Sequence, residues 1–193
     1  YKDKTFERVA QYYQTFEKVD AVEMINGQRV PKLADILKNL DWDFVCKGTP
    51  SGFHGDLHFE NIIYDEKKNK FTLLDWRQDF GGILEYGDTY YDLAKLYHGL
   101  IISHELIAEN QFSVGVRGEN IVTFDFQRKQ SLVEIDEYFK TYIVKKGYSL
   151  ARVELLTSLI FLNIAALHHY PYSQLLYFLG KYGLFRQTSA QAK

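Results

Sequence analysis

The sequence predicts an α+β fold that is predominantly helical, and three observations lead to that class. Apolar residues recur at helical spacing over most of the 193 residues. In two places, short apolar segments flank a polar turn, which indicates two small β-hairpins. No internal repeat, low-complexity tract or second domain boundary interrupts the pattern. We therefore expect residues 1–193 to form a single domain, of the size of one large lobe.

Two helices, a loop and a hairpin are predicted in the first half of the chain. Asn26-Gly27 marks a turn, and Pro31 suits the first position of the second helix. Residues 47–52 form a loop by their Gly, Pro and Ser content. Residues 61–64 and 71–75 are apolar runs on either side of a charged turn, as in a hairpin. The first helix presents an apolar face made of Phe6, Val9, Ala10, Tyr13 and Phe16.

The second half is predicted to be mainly helical. After a glycine-containing loop, Asp88 or Thr89 can cap a helix that extends through Leu100. Polar residues from Gln187 onward predict a frayed tail. The remaining elements are a hairpin with its turn at residues 117–120 and three helices, over residues 112–126, 128–146, 150–170 and 173–181.

Composition excludes several classes of partner. The formal charge of −2 provides no basic face for nucleic acid, so we expect no nucleic-acid partner. The most apolar run, Leu155 to Leu167, is shorter than the roughly 20 residues that cross a bilayer, so we expect no membrane partner. Cys46 has no second cysteine with which to pair, which favours a reducing compartment and a cytoplasmic location.

The residues that indicate chemistry are concentrated in residues 53–94. Transfer of a phosphoryl group to a hydroxyl needs a carboxylate that orients the hydroxyl and oxygen ligands that hold Mg²⁺. Asp56 lies in a loop, Asn61 begins the first strand of the predicted hairpin, and Asp75 ends the second. Because a hairpin returns its second strand to the starting end, we expect Asn61 and Asp75 to meet near Asp56.

The motif His54-Gly55-Asp56-Leu57-His58-Phe59-Glu60-Asn61, followed by Leu73-Leu74-Asp75-Trp76, resembles the aminoglycoside phosphotransferase and choline kinase superfamily. A third match is Gly87-Asp88-Thr89-Tyr90-Tyr91-Asp92-Leu93-Ala94, which is similar to the segment that follows the metal-binding Asp in that superfamily. Thr89 stands where those proteins often have Pro, and Glu60 where a small residue is common. The resemblance implies the C-terminal lobe of a protein-kinase-like fold.

The resemblance also implies a role for each matching residue. Asp56 becomes the catalytic base, and Asn61 and Asp75 become the Mg²⁺ ligands. His54 and Asp92 become structural supports of the catalytic loop. The implied reaction moves the γ-phosphate of ATP onto a hydroxyl of a sugar, an amino alcohol or an aminoglycoside-like compound.

A complete kinase of this type also has an N-terminal nucleotide lobe with a glycine-rich phosphate loop. No Gly-x-Gly-x-x-Gly pattern occurs in this sequence. We therefore expect that lobe to be a missing partner of this chain, and the isolated chain to be inactive.

Two other interpretations remain open. His54, Asp56 and His58 could belong to a metal-dependent hydrolase, since His is a common transition-metal ligand. Alternatively, the chain could be a non-catalytic binding module derived from a kinase. In the kinase interpretation, His58, Trp76 and Arg77 are candidate contacts to substrate or phosphate.

Overall fold

The computed structural model describes residues 1–118 and 120–191. Its main helical elements alternate with short strands along the chain. The α-helices within the described residues are α1 Lys2–Thr15, α2 Leu33–Asn39, α3 Trp42–Cys46, α4 Thr89–Ile101, α5 His104–Ala108, α6 Gln130–Lys145, α7 Leu150–Ala165 and α8 Tyr172–Gln191. The predicted α+β class with a predominance of helix is confirmed.

Within residues 1–118 and 120–191, short strands form three separate sheets. A four-stranded sheet has the order β2-β1-β8-β7, while β3 pairs with β6 and β4 pairs with β5. Within the four-stranded sheet, β1 and β8 run parallel and join two hairpins that are distant in sequence. The strands are β1 Glu23–Ile25, β2 Gln28–Val30, β3 Pro50–Ser51, β4 Ile62–Asp65, β5 Lys70–Leu73, β6 Gly87–Asp88, β7 Phe112–Arg117 and β8 Ile121–Phe126.

Helix α7 forms the centre of the core. It packs against α8 and α4 and also contacts α1 and α3. Leu155, Leu156 and Leu159 on this helix are almost completely buried. Its first turn is capped by Ser149, whose Oγ accepts a hydrogen bond from the backbone N of Arg152 at 3.3 Å. The helical body is thus a rigid support for the loops that surround it.

Helix α4 follows the hairpin of β4 and β5 and the loop after it, and it begins with a strong cap. Asp88 Oδ1 accepts hydrogen bonds from the backbone N of Tyr90 at 3.0 Å and of Thr49 at 2.9 Å. Of the two capping residues that the sequence allows, the structure therefore selects Asp88. The hydrogen bond from Thr49 also joins the start of α4 to the loop of residues 47–52, which fixes the position of the helix relative to that loop.

Several predicted boundaries were wrong. The helix predicted over residues 150–170 ends at Ala165, and the final helix extends from Tyr172 to Gln191. The expected fraying from Gln187 does not occur up to residue 191, because Gln187 donates a hydrogen bond to Glu154 Oε2 at 2.9 Å. Residues 192 and 193 of the predicted tail, and Glu119 of the predicted turn, lie outside the described residues.

Pro31 does not occupy the first position of α2. The helix begins at Leu33, because the carboxylate of Asp20 accepts hydrogen bonds from the backbone N of Leu33 and of Ala34, both at 2.9 Å. This cap comes from a residue outside the helix and cannot be recognised from local spacing. The short helices α3 and α5 and the hairpin of β1 and β2 were not predicted either. Within the described residues, no helix has the length and apolar character needed to cross a membrane.

Candidate active site

The loop that contains Asp56 is held by the first turn of α4. The backbone N of His54 donates to Asp92 Oδ2 at 2.7 Å, and the backbone N of Gly55 donates to Asp92 Oδ1 at 2.8 Å. Burial raises the pKa of Asp92, and these two hydrogen bonds oppose that rise. A half-buried carboxylate on a rigid helix therefore fixes the backbone directly before Asp56. This is the contact pattern of a residue that supports the loop.

Gly55 and His54 determine the shape of the same loop. Gly55 has φ +79°, and a Cβ at this position would lie 2.5 Å from Cγ of Arg77, so a larger residue would be strained and would clash. The buried His54 ring lies 5.0 Å from the ring of Trp76. His54 Nδ1 accepts a hydrogen bond from the backbone N of Asp56 at 3.2 Å. His54 therefore contributes to loop geometry.

The carboxylate of Asp56 lies among cationic and imidazole groups. Its Oδ1 is 2.7 Å from Nζ of Lys95, and its Oδ2 is 3.7 Å from Nη2 of Arg77 and 3.9 Å from Nε2 of His58. Burial alone would raise the pKa of Asp56, but the hydrogen bond and charge of Lys95, with smaller contributions from His58 and Arg77, hold it below its ordinary value. Asp56 is therefore ionised at neutral pH.

Lys95 is a site residue that sequence reasoning missed. It lies on α4 three residues after Asp92 and is 9% exposed. A lysine is rarely buried to this extent unless it is paired, and its partner here is the Asp56 carboxylate. The sequence contained one sign of this role, a lysine between Ala94 and Tyr97 on an apolar face of the helix. Such a lysine is expected to pair with a carboxylate, but its position does not identify which one.

The hairpin of β4 and β5 brings Asn61 and Asp75 to the same end. Ile62 is paired with Leu73, and the backbone N of Leu74 donates to the backbone O of Asn61 at 2.9 Å. Asn61 is buried, whereas Asp75 is exposed. Asp75 has φ +53°, a left-handed conformation that Asp adopts more readily than most residues. The backbone of Asp75 therefore follows directly after the residue that is bonded to Asn61.

The side-chain oxygen atoms of Asn61 and Asp75 are suitable ligands for a hard cation. Both hydrogen bonds of the Asn61 side chain use Nδ2, which lies 3.0 Å from the backbone O of Asp56 and 3.1 Å from Nε2 of His58. The amide Oδ1 of Asn61 and the carboxylate of Asp75 are the kinds of oxygen ligand that Mg²⁺ prefers, together with phosphate oxygens and water. Asn61 and Asp75 thus fit the ligand set that the resemblance implies.

Comparison with family models matches residues 4–113 to the phosphotransferase enzyme family; the match covers more than half of the chain and includes every site residue described in this subsection. The chain belongs to this family. It matches no curated protein and no solved structure.

The other predicted contacts of this phosphotransferase lie around the same loop. Trp76 is 56% exposed, and its Nε1 donates to the backbone O of Leu73 at 3.1 Å, so its ring extends the hairpin edge into solvent. The backbone N of Arg77 donates to the backbone O of His54 at 2.8 Å. The backbone after Asp75 is therefore bonded to the loop that contains Asp56. The side chain of Arg77 is directed toward Asp56.

In the phosphotransferase, both ring nitrogens of His58 have a partner, Nε2 with Asn61 and Nδ1 with Glu60. Its Nδ1 lies 2.7 Å from Glu60 Oε2, while Glu60 Oε1 lies 3.0 Å from Nδ1 of His104. Sequence reasoning did not identify His104, which comes from the short helix α5. Burial would raise the pKa of Glu60, but a backbone hydrogen bond and the two histidines hold it below its ordinary value. Glu60 therefore bridges two imidazoles beside Asn61.

The hydrolase interpretation gains no support from the geometry. His54 Nδ1 is used by the backbone of Asp56, and His58 Nδ1 faces Glu60. In residues 1–118 and 120–191, no group of three or more His, Cys, Asp or Glu side chains is arranged to hold a metal ion.

Proposed function

We propose that this phosphotransferase transfers the γ-phosphate of ATP to a hydroxyl group of a small molecule, with Mg²⁺ as the cofactor and a protein-kinase-like fold. The observation that carries the proposal is the ionised carboxylate of Asp56, which lies 2.7 Å from Lys95 in a loop that also bonds Asn61. The family match supports phosphoryl transfer in general.

In the proposed reaction, Asp56 accepts a hydrogen bond from the acceptor hydroxyl and orients its oxygen toward the γ-phosphorus. A bond forms between that oxygen and phosphorus as the bond to the β,γ-bridging oxygen breaks, and the hydroxyl proton moves to Asp56. The transition state of such transfers is loose, so a carboxylate of low pKa is sufficient, because orientation matters more than base strength. Asp56 is therefore assigned as the catalytic base.

Mg²⁺ would be held by Asn61 and Asp75 and would neutralise charge on the donor phosphates. Lys95 holds Asp56 in position from the side of α4, and Arg77 approaches its second oxygen. His54 and Asp92 shape the loop, while His58 and Trp76 border it. The chemistry thus relies on side chains from one loop, one hairpin and one helix.

We also propose that this chain is the C-terminal, substrate-binding lobe and that the nucleotide-binding lobe lies outside residues 1–193. The support is the exposure of apolar side chains on the hairpin of β4 and β5 and in the segment after it. Tyr64 and Phe71 lie side by side on one face of the hairpin, with ring centroids 4.8 Å apart, and Ile63 lies on the other face. Leu74, Trp76 and Leu84 are also exposed. Exposed apolar side chains in this number are typical of an interface with another structural unit. Efficient ATP turnover by residues 1–193 alone would contradict this assignment.

The test is phosphate transfer from radiolabelled ATP to a panel of small hydroxyl compounds, using the full-length protein and Mg²⁺. We expect Asp56→Asn to lower turnover by about 10²–10⁴-fold with nucleotide affinity nearly intact, because Asn keeps the shape of the side chain but removes the carboxylate that accepts the proton and pairs with Lys95. Asp75→Asn should slow turnover and also raise the Mg²⁺ requirement. Asp65→Asn, a carboxylate of the same hairpin that lies outside the site, is the matched control.

Equal and mild effects of Asp56→Asn and Asp75→Asn would reject the roles assigned here. Nucleotide and acceptor binding without any transfer would favour the non-catalytic binding module. Zinc-dependent activity that is lost in His58→Ala would favour the hydrolase.

A further inference from the structure

A cavity of about 250 Å³ lies beside the catalytic loop. The proposed reaction does not use its walls except for Arg77. The cavity is bordered by the first helix, by the loop after Asp75 and by helices α4 and α7. The side chains considered below are Tyr1, Lys4, Arg77, Phe80, Tyr91 and Asn163.

The cavity adjoins the reacting carboxylate. Gly55, the residue directly before Asp56, is part of its wall. Arg77 contacts both the cavity and the Asp56 carboxylate, since it lines the cavity and its Nη2 lies 3.7 Å from Asp56 Oδ2. Tyr91 lines the cavity one helical turn before Lys95, so both lie on the face of α4 that is directed toward the loop. A molecule in the cavity would thus lie next to Asp56.

Positive charge exceeds negative charge around the cavity. Lys4 and Arg77 line it, Lys95 lies one helical turn after the lining residue Tyr91, and the two ion pairs that these three cations form within the described residues both use Asp56. Burial and then the repulsion of Arg77, Arg8 and Lys95 hold the pKa of Lys4 below its ordinary value. Asp79 also lines the wall, but its Oδ1 accepts a hydrogen bond from the backbone N of Gly82 at 2.8 Å.

This charge distribution discriminates between kinds of acceptor. An anionic group in the cavity would relieve the repulsion between Lys4 and Arg77 and would gain attraction from both. A cationic amine would meet that repulsion and would have to compete for the single carboxylate, Asp79, on the wall. The cavity therefore favours a negative acceptor and disfavours amino alcohols and aminoglycosides.

The remaining walls suit a ring with hydroxyl groups. The rings of Tyr1, Phe80 and Tyr91 pack together with centroid distances of 5.5–6.0 Å and form an aromatic wall. Such a wall can contact the C–H face of a sugar. Asn163 Oδ1 is buried and has no hydrogen-bond partner among the described residues, so it can accept a hydrogen bond from a hydroxyl. The volume is below the roughly 300–1,000 Å³ of pockets for drug-sized ligands, which favours a single ring.

We propose that this cavity binds the phosphate acceptor and that the acceptor is a sugar of one ring carrying a negative charge, as a carboxylate or a phosphate. The inference rests on the proposed function, because it assigns the acceptor of that same reaction. Arg77 and Lys4 select the acidic group, the aromatic wall contacts the ring, and Asp56 receives the reacting hydroxyl.

The test compares three pyranoses that differ mainly in charge: D-glucuronate, D-glucose and D-glucosamine. Binding of each sugar to the full-length protein is measured by saturation-transfer NMR titration, and phosphate transfer is measured separately with MgATP. We expect D-glucuronate to bind about tenfold more tightly than D-glucosamine, with D-glucose between them, since each partly exposed ion pair contributes a small factor. Equal binding, undetectable binding of all three sugars, or tighter binding of D-glucosamine overturns the proposal.

Lys4→Gln removes one cation from the wall, and Lys2→Gln on the same helix is the matched control, because both lysines are exposed but Lys2 does not line the cavity. We expect the preference for D-glucuronate to fall several-fold in Lys4→Gln and to stay unchanged in Lys2→Gln, with MgATP affinity unaltered in both. Weaker MgATP binding with unchanged sugar selectivity would assign Lys4 to the donor and overturn the proposal.

The two proposals can fail separately. Charge-selective sugar binding without any phosphate transfer would support the cavity assignment and reject the kinase reaction. Transfer of phosphate to D-glucosamine in preference to D-glucuronate would support the kinase reaction and reject the anionic acceptor.

Discussion

The helical body of this phosphotransferase and its residues 53–88, the proposed catalytic segment, are stabilised in opposite ways. On α7, Leu155, Leu156 and Leu159 are at most 2% exposed, whereas Phe71 and Leu84 in the catalytic segment are 64% and 71% exposed. Apolar burial therefore stabilises the body, while polar contacts to α4 hold the segment. A substitution in the body should act on folding, and one in the segment should act on chemistry.

Two buried lysines show the same difference. Lys181 is fully buried in the body, and its Nζ donates to the backbone O of Ala21 and to Glu23 Oε2, both at 2.7 Å. These partners are internal, so Lys181 links α8 to the region of β1. Lys95 is directed instead toward Asp56, a carboxylate that is partly exposed to the cleft. A buried lysine thus pairs with internal groups in one region and, in the other, with the proposed catalytic base.

The largest expected effect comes from the body. Leu156→Ala should lower the free energy of unfolding by about 2–5 kcal/mol, because it removes buried contacts and leaves a cavity. Turnover per folded molecule should stay nearly unchanged. Denaturant unfolding and activity of the folded fraction measure the two effects. Loss of turnover in a fully folded variant would show that the body and the segment are not separate in this way.

An intermediate effect is expected at Lys95, where the two regions meet. Lys95→Met should lower turnover roughly tenfold to a hundredfold, in the range of a lost charge-assisted hydrogen bond, and Lys95→Arg should restore part of it. Asp56 acts when ionised, so activity is present above its pKa and is lost as the pH falls through it. Because Lys95 depresses that pKa, its removal should make the loss begin at a higher pH.

The measurement at Lys95 is the pH profile of turnover for both variants. If Lys95→Met and Lys95→Arg have the same profile as the unmodified protein, Lys95 is only a structural residue.

The smallest effect is expected for the same leucine-to-alanine change in the catalytic segment. In residues 1–193 alone, Leu84→Ala should change the free energy of unfolding by less than about 0.5 kcal/mol, because the side chain is in solvent there. Denaturant unfolding beside Leu156→Ala provides the direct comparison. A loss as large as that of Leu156→Ala would mean that Leu84 packs against another part of the folded protein.

The parts of the site that depend on local sequence could be predicted. The hairpin of β4 and β5 follows from two apolar runs around a charged turn, and its closure brings Asn61 and Asp75 together, as expected from their spacing. The cap at Asp88 follows from the preference of helix N-termini for Asp. These features depend on residues that are close in sequence, so the local sequence pattern was sufficient to predict them.

Features made by distant residues could not be predicted. The parallel pairing of Met24 with Ile121, the cap that Asp20 provides for α2 and the bridge from Glu60 to His104 join separate parts of the chain. The spacing of neighbouring residues does not identify such partners, because many distant residues of the right type could make each contact. The final helix was predicted too short for the same reason, since the contact of Gln187 with Glu154 comes from α7.

The sequence by itself determined the α+β class, the phosphotransferase family and the side chains of the catalytic loop, since spacing, turn chemistry and motif are properties of neighbouring residues. Only the tertiary structure decided that Lys95 is the partner of Asp56 and that Lys4 joins Arg77 at a cavity beside it. The physical reason is that an electrostatic environment depends on distances between atoms in space. Those distances exist only once the helices have packed.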